Sequence, residues 1–277
     1  MEQLLKAEIK KSYKKELKFS LLLFIFLFIL NYSYLDEKLK NFFSSEDFLV
    51  KEKMCFVERV IDGDTIVACE NNTRLLGINT PEKKEKFYLE AKAYLSKRIE
   101  NKTVKLVFSK EKYDKYGRVL AYIYLDDSSI NSEMIEKGFA NPYFPQGTDF
   151  NFKNFFESWE KCIKSSNGLC SFSKDKCSKC ISLEQLDPIK ERVIIKNNCD
   201  FVCNISGWSI KDEGRKSFIF KETFIFPMKE VLVYVSSKQK DIEGILWNRT
   251  DSVWTDSGDT LFLRDSKGDL VLWENYF

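Results

Sequence analysis

The stretch Val57–Glu70, VERVIDGDTIVACE, decides how the chain is read. Apolar and polar residues alternate on both sides of Asp62-Gly63-Asp64, the period of half-buried strands. An Asp-Gly pair between two such runs is a hairpin turn, so Asp62 and Gly63 need no function. Asp64 is less easily explained, because it opens the second strand, where aspartate is disfavoured. Cys55 and Cys69 lie on the two arms at nearly equal distances from the turn. They fall opposite or one step diagonal, within reach of a disulfide.

Outward from this hairpin, RLLGI (Arg74 to Ile78) reads as a third strand that ends at Asn79-Thr80-Pro81. Residues 82–101 then read as a helix with Phe87, Ala91, Tyr94, Leu95 and Ile99 on one face. TVKLVFS and VLAYIYL are two further strands around KEKYDKYGR, and INSEMIEKGFA and DFNFKNFFESWEKCIKSS are two further helices. Five strands with interspersed helices over residues 54–172 suit an α+β OB-fold, a small Greek-key barrel. Residues 173–185 are polar and cysteine-bearing, a linker by composition. Residues 186–277 are all-β in pattern, with runs such as RVIIKN, EVLVYVSS, TLFLRD and LVLWENY, and suggest an immunoglobulin-like sandwich.

The chain has 277 residues and no histidine. That excludes Ser-His-Asp and Cys-His catalysis and every His-ligated metal centre. Residues 1–18 hold six lysines against three glutamates, which leaves 38 basic and 39 acidic side chains for the rest. A neutral main body argues against coating nucleic acid by bulk charge, though not against a local basic site. The lysines precede the apolar run FSLLLFIFLFIL. With no small-residue cleavage site after it, residues 19–35 read as an uncleaved signal anchor and 36–53 as a stalk. The basic flank predicts residues 1–18 in the cytoplasm and a single-pass membrane protein with its C-terminal domains outside. Cleavage of the signal would make it secreted.

Eight cysteines in an exported chain point to disulfides. Cys162 and Cys170 are close in sequence. Cys177, Cys180, Cys199 and Cys203 have spacings that fit either disulfides or a structural Zn²⁺ site, with disulfides favoured by export.

VIDGDTI, RLLGINTPE and DKYGRVLAYIYL, in this order and spacing, resemble the staphylococcal-nuclease-like (thermonuclease) domain. The resemblance implies hydrolysis of DNA or RNA phosphodiester bonds with little sequence preference, 3′-phosphate products and Ca²⁺ dependence. It places Arg74, Glu82 and Arg118 as catalytic residues. It places Asp64, Asn79 and the carbonyl of Thr80 as metal ligands, with Asp62 beside the ion, acting through water or by holding the turn. A hard cation on oxygens suits a chain without histidine. Glu82 is suited to activate water, and two arginines to hold a phosphate. The family has aspartate where this chain has Asn79, and the lost charge predicts weaker metal binding. Tyr143 and Phe144 fall near where the family stacks a base. Asp114 and Gly117 read as shaping the turn that presents Arg118.

ERVIIKNN, ISGWSIKDEG and VWTDSGDTLFLRDSKGDLV resemble a lamin-tail (LTD) domain, with Trp208 and the Gly258-Asp259 turn carrying the likeness. This implies a binding or tethering role for an unknown ligand. Lys211, Asp212 and Arg215 read as a solvated loop. The alternatives to an enzyme are a non-catalytic nucleic-acid-binding protein and a surface scaffold protein.

Overall fold

The computed structural model describes residues 52–145, 147–235 and 243–276, with Lys18 and Leu21. The basic segment, the anchor expected over 19–35 and nearly all of the stalk lie outside these residues. No helix among the described residues is long and apolar enough to cross a membrane. Residues 51–277 form one compact unit.

The first half is built from strands β1 (Glu52–Val60), β2 (Thr65–Ala68), β3 (Asn71–Leu75), β4 (Ile78–Asn79), β5 (Thr103–Tyr113), β6 (Val119–Leu125), β7 (Ser128–Ser129) and β8 (Asn141–Pro142). Three helices accompany them, α1 (Tyr88–Ile99), α2 (Ile130–Glu136) and α3 (Phe152–Ser165). The sheet runs β3-β2-β1-β5-β6-β7, and a parallel pairing of β3 with β6 closes β1, β2, β3, β5 and β6 into a barrel. Closure removes the sheet edges between these five strands. The alternating inward residues Val57, Ile66, Leu75, Val104, Leu106, Ala121 and Ile123 fill its core.

The third strand starts and ends earlier than the expected Arg74–Ile78, running from Asn71 to Leu75. Gly77, at φ +70, breaks the run after Leu75, and an added Cβ would meet the Phe155 ring at 2.5 Å. The break frees β4 to pair with β8. Helix α1 starts later than expected, because Glu82–Phe87 forms turns and Phe87 takes a left-handed conformation. The expected apolar face persists in Ala91, Leu95 and Ile99.

The second half holds β9 (Ile181–Asp187), β10 (Arg192–Asn197), β11 (Cys203–Asn204), β12 (Ser209–Lys211), β13 (Ser217–Ile219), β14 (Phe224–Ile225), β15 (Glu230–Val235), β16 (Ile245–Trp247), β17 (Asp259–Arg264) and β18 (Leu270–Tyr276). Its two four-stranded sheets run β16-β15-β10-β9 and β13-β12-β17-β18, and β11 pairs with β14. Trp208, Trp254, Ile210 and Leu261 lie in the core between them. β9 falls partly in the stretch whose polar composition reads as a linker. As an edge strand it buries little of its side-chain surface, so its sequence looks like loop.

The two halves share an apolar seam. Phe262 and Leu270 of the sandwich belong to the barrel's buried cluster. Trp159 of α3 packs edge-on against Phe262 and Trp273, at 5.5 and 6.0 Å between ring centres. Bridges join Cys55–Cys69, Cys162–Cys170, Cys177–Cys203 and Cys180–Cys199. The zinc alternative for the last four cysteines therefore falls away, since no thiolate is left to ligate an ion.

Candidate active site

The hairpin turn after β1 is held by Ile61 and Asp62, whose N–H groups donate to the Thr65 carbonyl. The Asp64 N–H donates to the Asp62 carboxylate at 3.2 Å, so Asp62 fastens the turn. Burial, and then the neighbouring Asp64 charge, push the Asp62 carboxyl above its ordinary value. Gly63 is required by close approach rather than by backbone angle: a Cβ there would lie 2.8 Å from the Thr80 hydroxyl. The turn is thus pressed against the corner that carries Asn79 and Thr80.

Asp64 is the hub. Its Oδ1 accepts from the Thr65 hydroxyl at 3.0 Å, and its Oδ2 accepts from the Thr80 backbone N–H and hydroxyl at 3.3 and 3.1 Å. Its carboxylate also pairs with the buried Arg74 guanidinium. Arg74 donates further to the Ile78 carbonyl at 3.0 Å. Arg118 donates through Nε to Asp114 Oδ2 at 2.7 Å and through Nη1 to the Thr65 hydroxyl at 3.4 Å. Thr65 therefore links Arg118 to Asp64, a role its sequence context does not announce. Burial alone would raise the Asp114 carboxyl, but hydrogen bonds from Arg118 and from the Tyr116 N–H hold it below its usual range. Asp114 fixes the arginine as the turn pattern implies.

Glu82 lies outside this network, and the sandwich ties it in. Lys211 to Arg215, at the end of β12, lies against the site. Arg215 Nε reaches Glu82 Oε1 at 2.7 Å. Lys211 pairs with Glu85 at 2.9 Å. Asn79 Nδ2 donates to the Gly214 carbonyl at 2.7 Å, and Asn141 Nδ2 donates to the Glu213 carbonyl at 2.8 Å. The Phe144 N–H donates to Glu213 Oε1 at 2.9 Å. The solvated-loop reading of Lys211, Asp212 and Arg215 is thus corrected: Asp212 is buried, and the loop's partners lie in the other half of the chain. A run of charged residues gives no sign of partners more than 100 positions away.

The contact also explains Asn79. A carbonyl oxygen only accepts, so the group facing Gly214 must be a donor. The asparagine amide supplies one and aspartate would not. Its Oδ1 is left buried with no hydrogen-bond partner among the described residues.

Of the two aromatics, Phe144 is enclosed by Phe152 and Phe155 at 6% exposure, so it offers no face to a base. Tyr143 is half-buried beside Gly214, where an added Cβ would meet its ring at 3.2 Å.

Residues 72–168 match the model of the Staphylococcal nuclease homologue family, and residues 179–277 match that of the Lamin Tail Domain. An uncharacterized protein of Methanocaldococcus jannaschii is 33% identical over 152 residues, 43% of this chain and 72% of that one. The chain belongs to the staphylococcal nuclease homologue family. The thermonuclease of Staphylococcus intermedius is 34% identical over 105 residues, 34% of this chain. The match spans about 62% of that thermonuclease's length. An uncharacterized endonuclease of Haemophilus influenzae is 33% identical over 98 residues, 34% of this chain and 54% of that one.

Within this family frame, the donor set fits a hard cation. Asp64 supplies a carboxylate, Thr80 a carbonyl, and Asn79 an oxygen that is buried without a donor. A buried acceptor lacking a hydrogen bond calls for a partner, and an oxygen-seeking cation is one.

Proposed function

We propose that the chain is a Ca²⁺-dependent nuclease that cuts DNA or RNA phosphodiester bonds with little sequence preference. The observation that carries this reading is the linked set Arg118–Thr65–Asp64–Arg74, with Glu82 two residues beyond Thr80. Two guanidiniums in a partly dry site suit the charge that grows on phosphoryl oxygens. Glu82 takes a proton from the attacking water as the new P–O bond forms. The bond from phosphorus to the 5′ oxygen breaks and that oxygen takes a proton from solvent water, leaving a 3′-phosphate and a 5′-hydroxyl. Asp64, Asn79 and Thr80 would hold the cation, which supplies Lewis-acid polarisation of the phosphate when bound.

Four disulfides support an oxidising compartment, and with it export behind an N-terminal anchor. Protease added to intact cells should then digest the sandwich; protection until the membrane is opened would refute export. The activity is tested by incubating the protein with DNA and with RNA, in Ca²⁺ and in chelator. Cleavage that chelator abolishes is expected. Failure with every divalent ion would leave a nucleic-acid-binding barrel.

A further inference from the structure

We propose that Arg215 of the sandwich binds a backbone phosphate of the polynucleotide at the nuclease site, giving up Glu82 for the phosphate as substrate enters. This inference deepens the nuclease reading and rests on it.

Three facts carry it. Arg215 stands on the carboxylate proposed to activate water, at 2.7 Å, with more than half of its side chain exposed. The other two arginines of the site are engaged inside the barrel, Arg74 with Asp64 and Arg118 with Asp114. The backbone that presents Arg215 is fixed: Gly214 and Glu213 accept from Asn79 and Asn141, both buried, and Asp259 accepts from the Glu213 N–H at 3.2 Å. A guanidinium on a fixed loop loses less freedom on binding than one on a mobile loop.

An arginine resting on Glu82 would hinder proton abstraction if it stayed there. A phosphate also carries negative charge and offers the guanidinium two oxygens, a bidentate partner in place of the single Glu82 contact. The exchange would leave Glu82 free when substrate is in place. It forms and breaks only hydrogen bonds and moves no proton. The sandwich would then be a contributor to substrate binding, joined to the barrel for that purpose.

The test measures binding of a fluorescent single-stranded oligonucleotide by anisotropy, in chelator, across a salt series. The full-length protein is used, as wild type, Arg215→Ala, Arg215→Lys and Arg249→Ala. Each phosphate contact on a single strand contributes about 0.7 to the slope of log K against log salt. Arg215→Ala should weaken binding roughly tenfold at low salt and lower the slope by about 0.7. Arg215→Lys should keep the slope and lose part of the affinity, because lysine cannot bind bidentately. Arg249, paired with Asp251, should leave both unchanged. In cleavage assays Arg215→Ala should raise KM and leave kcat nearly unaltered.

An unchanged slope in a folded Arg215→Ala protein would overturn the proposal. So would tighter binding or faster cleavage, which would make the loop a latch over the site. So would a wild type that binds no oligonucleotide. A wild type that binds with the expected Arg215 slope and never cleaves would sink the nuclease reading alone.

Discussion

Asn79 does two things with one side chain. Its nitrogen holds the sandwich and its oxygen faces no donor among the described residues. Replacing it by aspartate adds charge for a cation but sets an oxygen against the Gly214 carbonyl. Losing one buried hydrogen bond this way costs about 1–3 kcal/mol. Asn79→Asp should therefore melt several degrees lower than wild type in chelator, and saturating Ca²⁺ should raise its melting temperature more than that of the wild type. Equal melting temperatures in chelator would show that the amide does not hold the loop. Asp64 is a poor target for testing catalysis, because its removal leaves Arg74 buried and unpaired, a loss of about 3–5 kcal/mol. Glu82 and Arg118 are better, being partly exposed. Glu82→Gln and Arg118→Ala should each slow cleavage at least ~10²-fold with the fold intact. A folded variant of either kind with wild-type rates would remove that residue from the mechanism. Asp64, Arg74 and Arg118 were legible in the sequence because ordered motifs fix their neighbours. Thr65 was not, since a strand threonine has no distinguishing pattern. Phe144 misled because an aromatic at a barrel rim reads the same whether it points in or out.

At the scale of the element, the 211–215 loop rests on buried acids. Burial, and then the charge of Asp259, raise Asp212 to about 7 and Glu213 to about 8. Burial likewise raises Asp259 to about 6, against the N–H groups of Glu213 and Thr260 that favour its charged form. Lys211 and Lys216 face Asp212 and partly offset its shift. The three titrate as a coupled set. Each holds a proton in the folded state that the unfolded chain would release, so its stabilisation is full below the unfolded carboxyl range, about pH 4. It is lost as pH rises through about 6 to 8. Unfolding free energies from urea titrations in chelator should fall across that window, by an amount on the order of a few kcal/mol. Glu213→Gln should flatten the fall, and a flat wild-type profile would contradict the burial of these carboxyls. The barrel strands were readable because inward residues alternate with outward ones. β9 was not, because an edge strand with mostly half-buried side chains carries no such contrast.

For the whole molecule, the seam around Trp159, Phe262 and Trp273 packs barrel and sandwich against each other in one buried cluster. Phe262→Ala opens a cavity in a fully packed contact and should cost about 3–5 kcal/mol. Calorimetry of the wild type should show barrel and sandwich melting in a single transition. Two separated transitions would mean that the seam transmits little. The sequence pattern revealed two folds in order but not their union. Phe262 lies on a strand buried at every residue but Arg264, and the neighbour it serves cannot be inferred from alternation.

The four bridges are all local in the chain. They close separations of 14, 8, 26 and 19 residues, and the last lies nested inside the third. As a nascent chain emerges residue by residue, the first two pairs are each complete before any of the sandwich beyond Cys170 exists. Neither early pair has to wait for a distant partner or be exchanged later. The nested pairs complete at Cys199 and Cys203, when β9 and β10 have emerged, so oxidation can proceed in the order of synthesis. Only the seam and the docked loop must await the final strands, and an oxidised barrel would meet its sandwich already locked.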